Sequence, residues 1–225
     1  MIEELLPAEV ISVDTRGDLV DATLFPDEER IVGNAVEKRR REFTTARACA
    51  RAALAQLGFP PIAIPAGERG EPLWPEGVVG SITHCAGYRA CAVARSTEIA
   101  TLGIDAEPNI ALPDGLLAEI TGLDELLALR RLQLAAPEVQ CGRLLFSAKE
   151  SVYKAWLSVA RCSLSFKDAV LTFDLSTGTF TARLLVAGPQ LPGGTHGRFS
   201  GRWMVRSGII MTAITAPASV PRSPS

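Results

Sequence analysis

Two carboxylates, Asp105 and Glu107, stand two residues apart at the end of the apolar run Leu102-Gly103-Ile104, just before Pro108. Alternation along a strand puts both on one face, where they repel unless a cation or a proton relieves them. Hard oxygen donors suit magnesium, which takes one or two carboxylates together with water and substrate phosphates. The same spacing also describes two acids closing a strand at the surface. A second group lies in Phe146-Ser147-Ala148-Lys149-Glu150-Ser151-Val152-Tyr153-Lys154-Ala155-Trp156. Glu150 and Lys154 are four apart and share a helical face. They read as a solvated ion pair or, with Phe146, Val152 and Trp156 around them, as the carboxylate and amine of a phosphoryl-transfer site.

A third feature is cationic. Residues 37–51 hold six bases and two acids, and Arg40, Arg47 and Arg51 fall nearly on one line of a helix at 100° per residue. Such a stripe can grip phosphate bidentately or simply face solvent. Thr83 and His84, in Gly80-Ser81-Ile82-Thr83-His84-Cys85-Ala86-Gly87, offer donors to an anion at a strand end. His84 and Cys85 point to opposite faces of a strand, which argues against a nucleophile pair. No G-x-S-x-G and no GxxxxGK[ST] occurs, removing the simplest hydrolase and nucleoside-triphosphatase patterns. His196, in a glycine-rich stretch, receives no role.

The elements that must hold these groups follow from periodicity and breakers. Pro26-Asp27-Glu28-Glu29 opens a helix, and apolar steps of three and four predict a second over 35–57, stopped by Gly58 and Pro60-Pro61. Residues 60–77, with five prolines and three glycines, read as a structured loop. Strands are predicted at 10–13, 77–83, 89–95 and 101–105, helices at 116–134 (broken at Gly122) and 139–159. Further strands follow at 169–173, 180–186, 201–206 and 209–215, with Ser176-Thr177-Gly178 and Ser207-Gly208 as hairpin turns. Residues 188–197 read as a loop. The order helix, strands, helix, strands predicts an α+β fold, divided into halves at 1–104 and 105–216, with 217–225 a frayed tail.

The 225 residues are 47% hydrophobic and 21% charged, an ordinary globular composition, and the net charge of −2 gives no basic excess for nucleic acid or an anionic membrane. Of the 23 cations, 19 are arginine, a skew that runs through the whole chain. Five scattered cysteines, never spaced C-x-x-C, fit free thiols in a reducing cytoplasm. The acidic start lacks the pattern of a signal peptide, and no apolar run is long enough to span a bilayer.

Taken in order, Gly80–Cys85, Gly103-Ile104-Asp105-Ala106-Glu107-Pro108 and Phe146–Trp156 resemble the motif set of the 4′-phosphopantetheinyl transferases, in particular the monomeric type serving siderophore, polyketide and peptide synthetases. Arg39-Arg40-Arg41-Glu42-Phe43 through Arg47, and Gly70-Glu71-Pro72-Leu73-Trp74-Pro75, resemble that family too. The resemblance implies two similar α+β halves in one chain, a pseudo-dimer, with coenzyme A in the cleft between them. It implies transfer of the phosphopantetheine arm to a serine of an acyl or peptidyl carrier protein, with 3′,5′-ADP leaving. By position, Asp105, Glu107 and Glu150 would hold Mg²⁺, with Mn²⁺ as a substitute. Asp105, Glu150 and Lys154 would be catalytic, Glu150 also a candidate base for the serine proton and Lys154 a counter-charge to the pyrophosphate. Arg39, Arg47, Arg69, Thr83 and His84, together with Asp105, Glu150 and Lys154, would contact coenzyme A. Close relatives often carry two lysines in the loop before Gly-Glu-Pro, whereas here Arg69 is the only cation in Ala66–Gly70. Which of Arg39, Arg40 and Arg51 meets the ligand is open. A metal-dependent phosphoesterase and a non-catalytic binding module are the competing readings.

Overall fold

In a computed structural model, which describes residues 1–191, 194–195 and 197–218, Phe43, Ala46, Ala50 and Leu54 form one buried face of a helix. That helix, α2 (Glu37–Gln56), follows β1 (Ile11–Thr15) and the short α1 (Pro26–Val32). Gly58, at φ +88°, ends it: its N–H and that of Phe59 reach back to Ala55 and Leu54, satisfying the last carbonyls. The Pro-rich stretch then crosses to β2 (Val78–Cys85), β3 (Tyr88–Arg95) and β4 (Ile99–Pro108). Next come α3 (Leu116–Ile120) and α4 (Leu123–Ala135), separated at Gly122, and α5 (Cys141–Ala160). The chain closes with β5 (Ala169–Asp174), β6 (Thr179–Leu184), β7 (Gln190–Leu191), β8 (Gly194–Thr195), β9 (Arg198–Arg206) and β10 (Ile209–Pro217). Ser207 and Gly208 both adopt positive φ between β9 and β10, the twist a tight hairpin requires.

The expected α+β architecture is therefore present, as two antiparallel sheets with order β1-β3-β2 and β4-β10-β9-β6-β5. The expected loop at 188–197 differs: it contains the small β7–β8 hairpin, whose two-residue strands are too short to carry an alternating pattern. His196 lies outside the described residues. The expected tail does not begin at Pro217, which belongs to β10, and the Ala218 N–H donates to the Glu98 carbonyl; residues 219–225 lie outside the described residues.

The sheets meet where β2 runs beside β4 without a backbone ladder. Side chains substitute for it: the Ile104 N–H donates to Ser81 Oγ and the Ala106 N–H to Thr83 Oγ1, each at 3.0 Å. The even positions of β3 and β4 (Ala90, Ala92, Leu102, Ile104) share a core with Ile2, Leu5 and the odd positions of β10. Cys91 and Val93, on the other face of β3, pack under α2. The odd face of β4 receives α5 so closely that a Cβ on Gly103 would sit 2.1 Å from the Ser151 carbonyl oxygen. A second tie joins α5 to the sheet, since Ser147 and Ser151 hydrogen-bond Thr212 on β10, the strand partner of Asp105. These contacts fix α5 against the strand end that carries the paired acids.

Candidate active site

A cleft of about 820 Å³ opens between α2 and α5, floored by β2 and roofed by the 67–74 loop. Its lining includes Arg39, Arg47, Arg69, Thr83, His84, Asp105, Glu150 and Lys154, so all but one of the expected site residues face one space. Glu107 is the exception: it follows Asp105 on β4, and Arg143 of α5 holds its Oε2 at 3.0 Å.

The close seat of α5 on Gly103 brings Lys154 to Asp105. Its ammonium donates to Asp105 Oδ1 at 2.7 Å and to the Ile104 carbonyl at 3.1 Å. Of the two readings of the Glu150–Lys154 spacing, the solvated ion pair does not form, and the lysine bonds the buried Asp105 carboxylate across the strand–helix contact. Thr83 completes the arrangement by donating its hydroxyl to Asp105 Oδ1 at 3.2 Å. The other oxygen, Asp105 Oδ2, is buried with no partner.

Around this orphaned oxygen the neighbouring acids hold their protons more tightly than usual. Burial, and then the charge of Asp105, push the Glu107 carboxyl up to about 7. Burial raises Glu150 too, with the Asp105 charge adding and Lys154 opposing. Among the described residues no three His, Cys, Asp or Glu side chains converge as a ready metal cluster, since Asp105 turns to Lys154 and Glu107 to Arg143. The donor chemistry nonetheless suits a hard divalent cation, with carboxylates at Asp105 and Glu150 in the cleft, Glu107 two residues along β4, and Asp105 Oδ2 buried without a partner.

The cationic wall is built by α2. Arg47 is 4% exposed, stacks over the Phe43 ring at 4.4 Å and leaves its Nε without a hydrogen-bond partner. Burial, with repulsion from Arg51 and Arg39, lowers its guanidinium to about 10 even though Glu28 favours the charge. Arg39 contacts His84 Nε2. The His84 imidazole is pushed down to about 4, by burial first and then by Arg39, Lys154 and Arg89, so it is neutral at pH 7.

Arg40 and Arg51 resolve differently from the stripe suggested by spacing. Arg40 pairs with Glu29, and Arg51 grips the fully buried Glu28 through both carboxylate oxygens, at 2.9 and 2.8 Å. Both fasten α1 to α2, and neither lines the cleft. Arg69 spans the opposite end of the cleft, its Nε donating to Ser163 Oγ beyond α5 at 3.3 Å.

Sequence reasoning did not single out Tyr153 and Ser158 of α5 or Arg161 just past its end, which line the cleft. The available signal was helical phase: Ser158 and Arg161 continue the Glu150–Lys154 face at steps of four and three. Trp74 was quoted only inside a motif, yet its ring covers Gly80, where a Cβ would come within 2.7 Å of it, and its indole N–H donates to the Gly80 carbonyl. Lys149, beside Glu150 in sequence, points away into the protein, bonded to Glu125 and to the carbonyls of Phe166 and Ala169. A cleft with a cationic wall at one side and an acid–lysine cluster at its base suits a polyphosphate substrate and its in-line displacement.

Comparison with known proteins agrees with that chemistry. Residues 27–94 match the family described as the 4′-phosphopantetheinyl transferase N-terminal domain, and residues 101–197 match the 4′-phosphopantetheinyl transferase superfamily. The chain is 49% identical to the 4′-phosphopantetheinyl transferase Svp of Streptomyces mobaraensis, over 97% of this chain and 90% of that one. It is 42% identical to the 4′-phosphopantetheinyl transferase PptT of Mycobacterium tuberculosis, over 95% and 97%. With the enterobactin synthase component D of Salmonella typhi it shares 30% identity over 91% and 83%.

Proposed function

The chain belongs to the 4′-phosphopantetheinyl transferase superfamily, and we propose that it moves the 4′-phosphopantetheine arm of coenzyme A to a serine of an acyl or peptidyl carrier protein. The observation that carries the site assignment is one cleft in which a buried, partnerless carboxylate oxygen of Asp105 lies with Glu150 and Lys154 opposite the cationic side chains of Arg39 and Arg47. A divalent cation would satisfy that oxygen, and a phosphate-rich ligand would answer the two guanidinium groups.

In this reading Arg39 and Arg47 take the phosphates of coenzyme A as charge-assisted donors. Neutral His84 offers a donor or acceptor without adding charge, and Arg69 closes the nucleotide end. Lys154, already held between Asp105 and the Ile104 carbonyl, neutralises charge on the pyrophosphate. The carrier serine attacks the pyrophosphate phosphorus that bears the pantetheine arm. A new phosphorus–oxygen bond forms, the bond to the other phosphate breaks, and 3′,5′-ADP leaves. The serine proton passes to Glu150, whose raised proton affinity suits a base, directly or through water. Asp105, Glu107 and Glu150 would hold Mg²⁺, which supplies Lewis-acid neutralisation of the pyrophosphate oxygens.

Residues 1–104 then form the half that binds the nucleotide and 105–216 the half that carries the acids and Lys154, with β4 shared at the boundary. One chain supplies both walls of the cleft, so a monomer suffices. The five thiols are free and four are buried, which suits the reducing cytoplasm as its location. No described helix is long and apolar enough to cross a membrane.

The test is turnover of Asp105→Ala and Glu150→Ala with coenzyme A, Mg²⁺ and an apo carrier. Both are expected to lose at least about 100-fold in kcat, the scale of a lost charge-stabilising or acid–base group. Wild-type turnover in both variants would overturn the site assignment.

A further inference from the structure

Arg143 sits on the first turn of α5, seven residues before Glu150 and on the same side of the helix. Its guanidinium makes a three-point fork. NH1 donates to Glu107 Oε2 at 3.0 Å, Nε to the Ile110 carbonyl at 3.2 Å, and NH2 to the Ala111 carbonyl at 2.9 Å. It engages Glu107 through Oε2 alone, leaving Oε1 for another partner. The group is largely buried, with its side chain 13% exposed and that of Glu107 20%.

The neighbouring polar contacts act on the same segment. The Asn109 amide donates to the Glu138 carbonyl, its oxygen accepts from the Gln140 N–H, and the Asn109 N–H donates to the Gly208 carbonyl. The end of β4 is thus stapled to the start of α5 from 107 to 111. Of the contacts on this segment, the one from Arg143 reaches a carboxylate of the acid cluster, Glu107. A planar fork with three acceptors fixes an orientation that a flexible point charge does not.

From this geometry we infer that Arg143 is a positioning residue, which aims the free oxygen of Glu107 at the cation bound beside Asp105 by holding the other oxygen and the 110–111 backbone. The inference rests on the reading of Glu107 as a cation ligand. Groups that hydrogen-bond a ligating carboxylate commonly affect metal affinity by about 10–100-fold. Two rival roles make opposite predictions. If Arg143 were only a competing positive charge, its removal would tighten cation binding, and lysine would replace it fully. If it only stabilised the fold, cation affinity of the folded protein would be unchanged.

The experiment titrates Mn²⁺ into the full chain saturated with coenzyme A and reads free Mn²⁺ by electron paramagnetic resonance. The variants are Glu107→Gln, Arg143→Lys, Arg143→Met and the double variant Glu107→Gln/Arg143→Met, with a melting temperature for each. The expected result is weaker Mn²⁺ binding in Glu107→Gln, and a loss of about 10–100-fold in both Arg143 variants. The double variant should be no weaker than Glu107→Gln alone, because the arginine acts through that carboxylate. Wild-type affinity in Arg143→Lys, tighter binding in Arg143→Met, additive losses in the double variant, or a lowered melting temperature with unchanged affinity would each overturn the inference while leaving Glu107 a ligand. Unchanged affinity in Glu107→Gln would instead remove the reading on which it rests. Should Arg143→Met fail to fold, Arg143→Lys carries the same comparison.

Discussion

Replacing Gly103 by Ala tests whether the seat of α5 on β4 sets the geometry of the site. The added methyl would lie 2.1 Å from the Ser151 carbonyl oxygen and 2.7 Å from the Ala155 nitrogen, both backbone atoms that no rotamer change can move aside. To reach ordinary contact at ~3.5 Å, the helix and strand must separate by more than about 1 Å. Overpacking of this kind costs roughly 1–3 kcal/mol. Glu150 and Lys154 ride on that helix, while Asp105 is two residues along the strand, so the 2.7 Å contact between Lys154 and Asp105 opens. A misplacement of ~1 Å can reduce turnover by about 100-fold. Urea denaturation and single-turnover transfer with saturating coenzyme A read the two effects separately. A variant that is as stable as the parent and as fast would refute the claim that this contact positions the acids and the lysine.

Two further outcomes follow from the same geometry. Arg39→Ala should weaken coenzyme A binding by about 10–100-fold, the scale of a lost charge-assisted hydrogen bond, with little change in stability; Arg51→Ala should do the reverse, destabilising the fold because the buried Glu28 loses the nitrogen that donates to both of its oxygens. Calorimetric binding and denaturation of both variants check this, and equal effects on both readouts would contradict it. For His84, NMR titration should give a midpoint near 4, against an ordinary 6.5. Between those values the unfolded chain binds more protons than the folded one, so this residue's share of stability is present above pH 6.5 and is lost as pH falls toward 4. A midpoint at or above 6.5, assigned by loss of the signal in His84→Gln, would contradict the buried, cation-flanked setting.

Much of the molecule was legible in its sequence because local rules decide it. The apolar steps from Phe43 to Leu57, the stop at Gly58, the break at Gly122 and the Ser207-Gly208 turn are short-range signals that the packing reinforces. The residues around Asp105 and Glu150 were legible by type and order. What spacing did not report is how two elements approach. Lys154 bonds Asp105 rather than Glu150 because Gly103 lets α5 lie on the strand, a fact of tertiary contact. Likewise, helical phase grouped Arg40, Arg47 and Arg51. The cleft takes Arg39 and Arg47, while α1 holds Arg40 through Glu29 and Arg51 through Glu28, which also lies 3.9 Å from Arg47 Nε. Arg143 stayed unnoticed because its partners lie more than thirty residues away in sequence.

The measurement that bears most directly on the central claim is the intact mass of an apo carrier protein after incubation with this chain, coenzyme A and Mg²⁺. The account predicts a gain of one phosphopantetheine arm, abolished by EDTA and by Asp105→Ala, with 3′,5′-ADP formed in equal amount. An unchanged carrier mass across acyl and peptidyl carriers, while 3′,5′-ADP still accumulates, would contradict transfer and make the cleft that of a phosphoesterase.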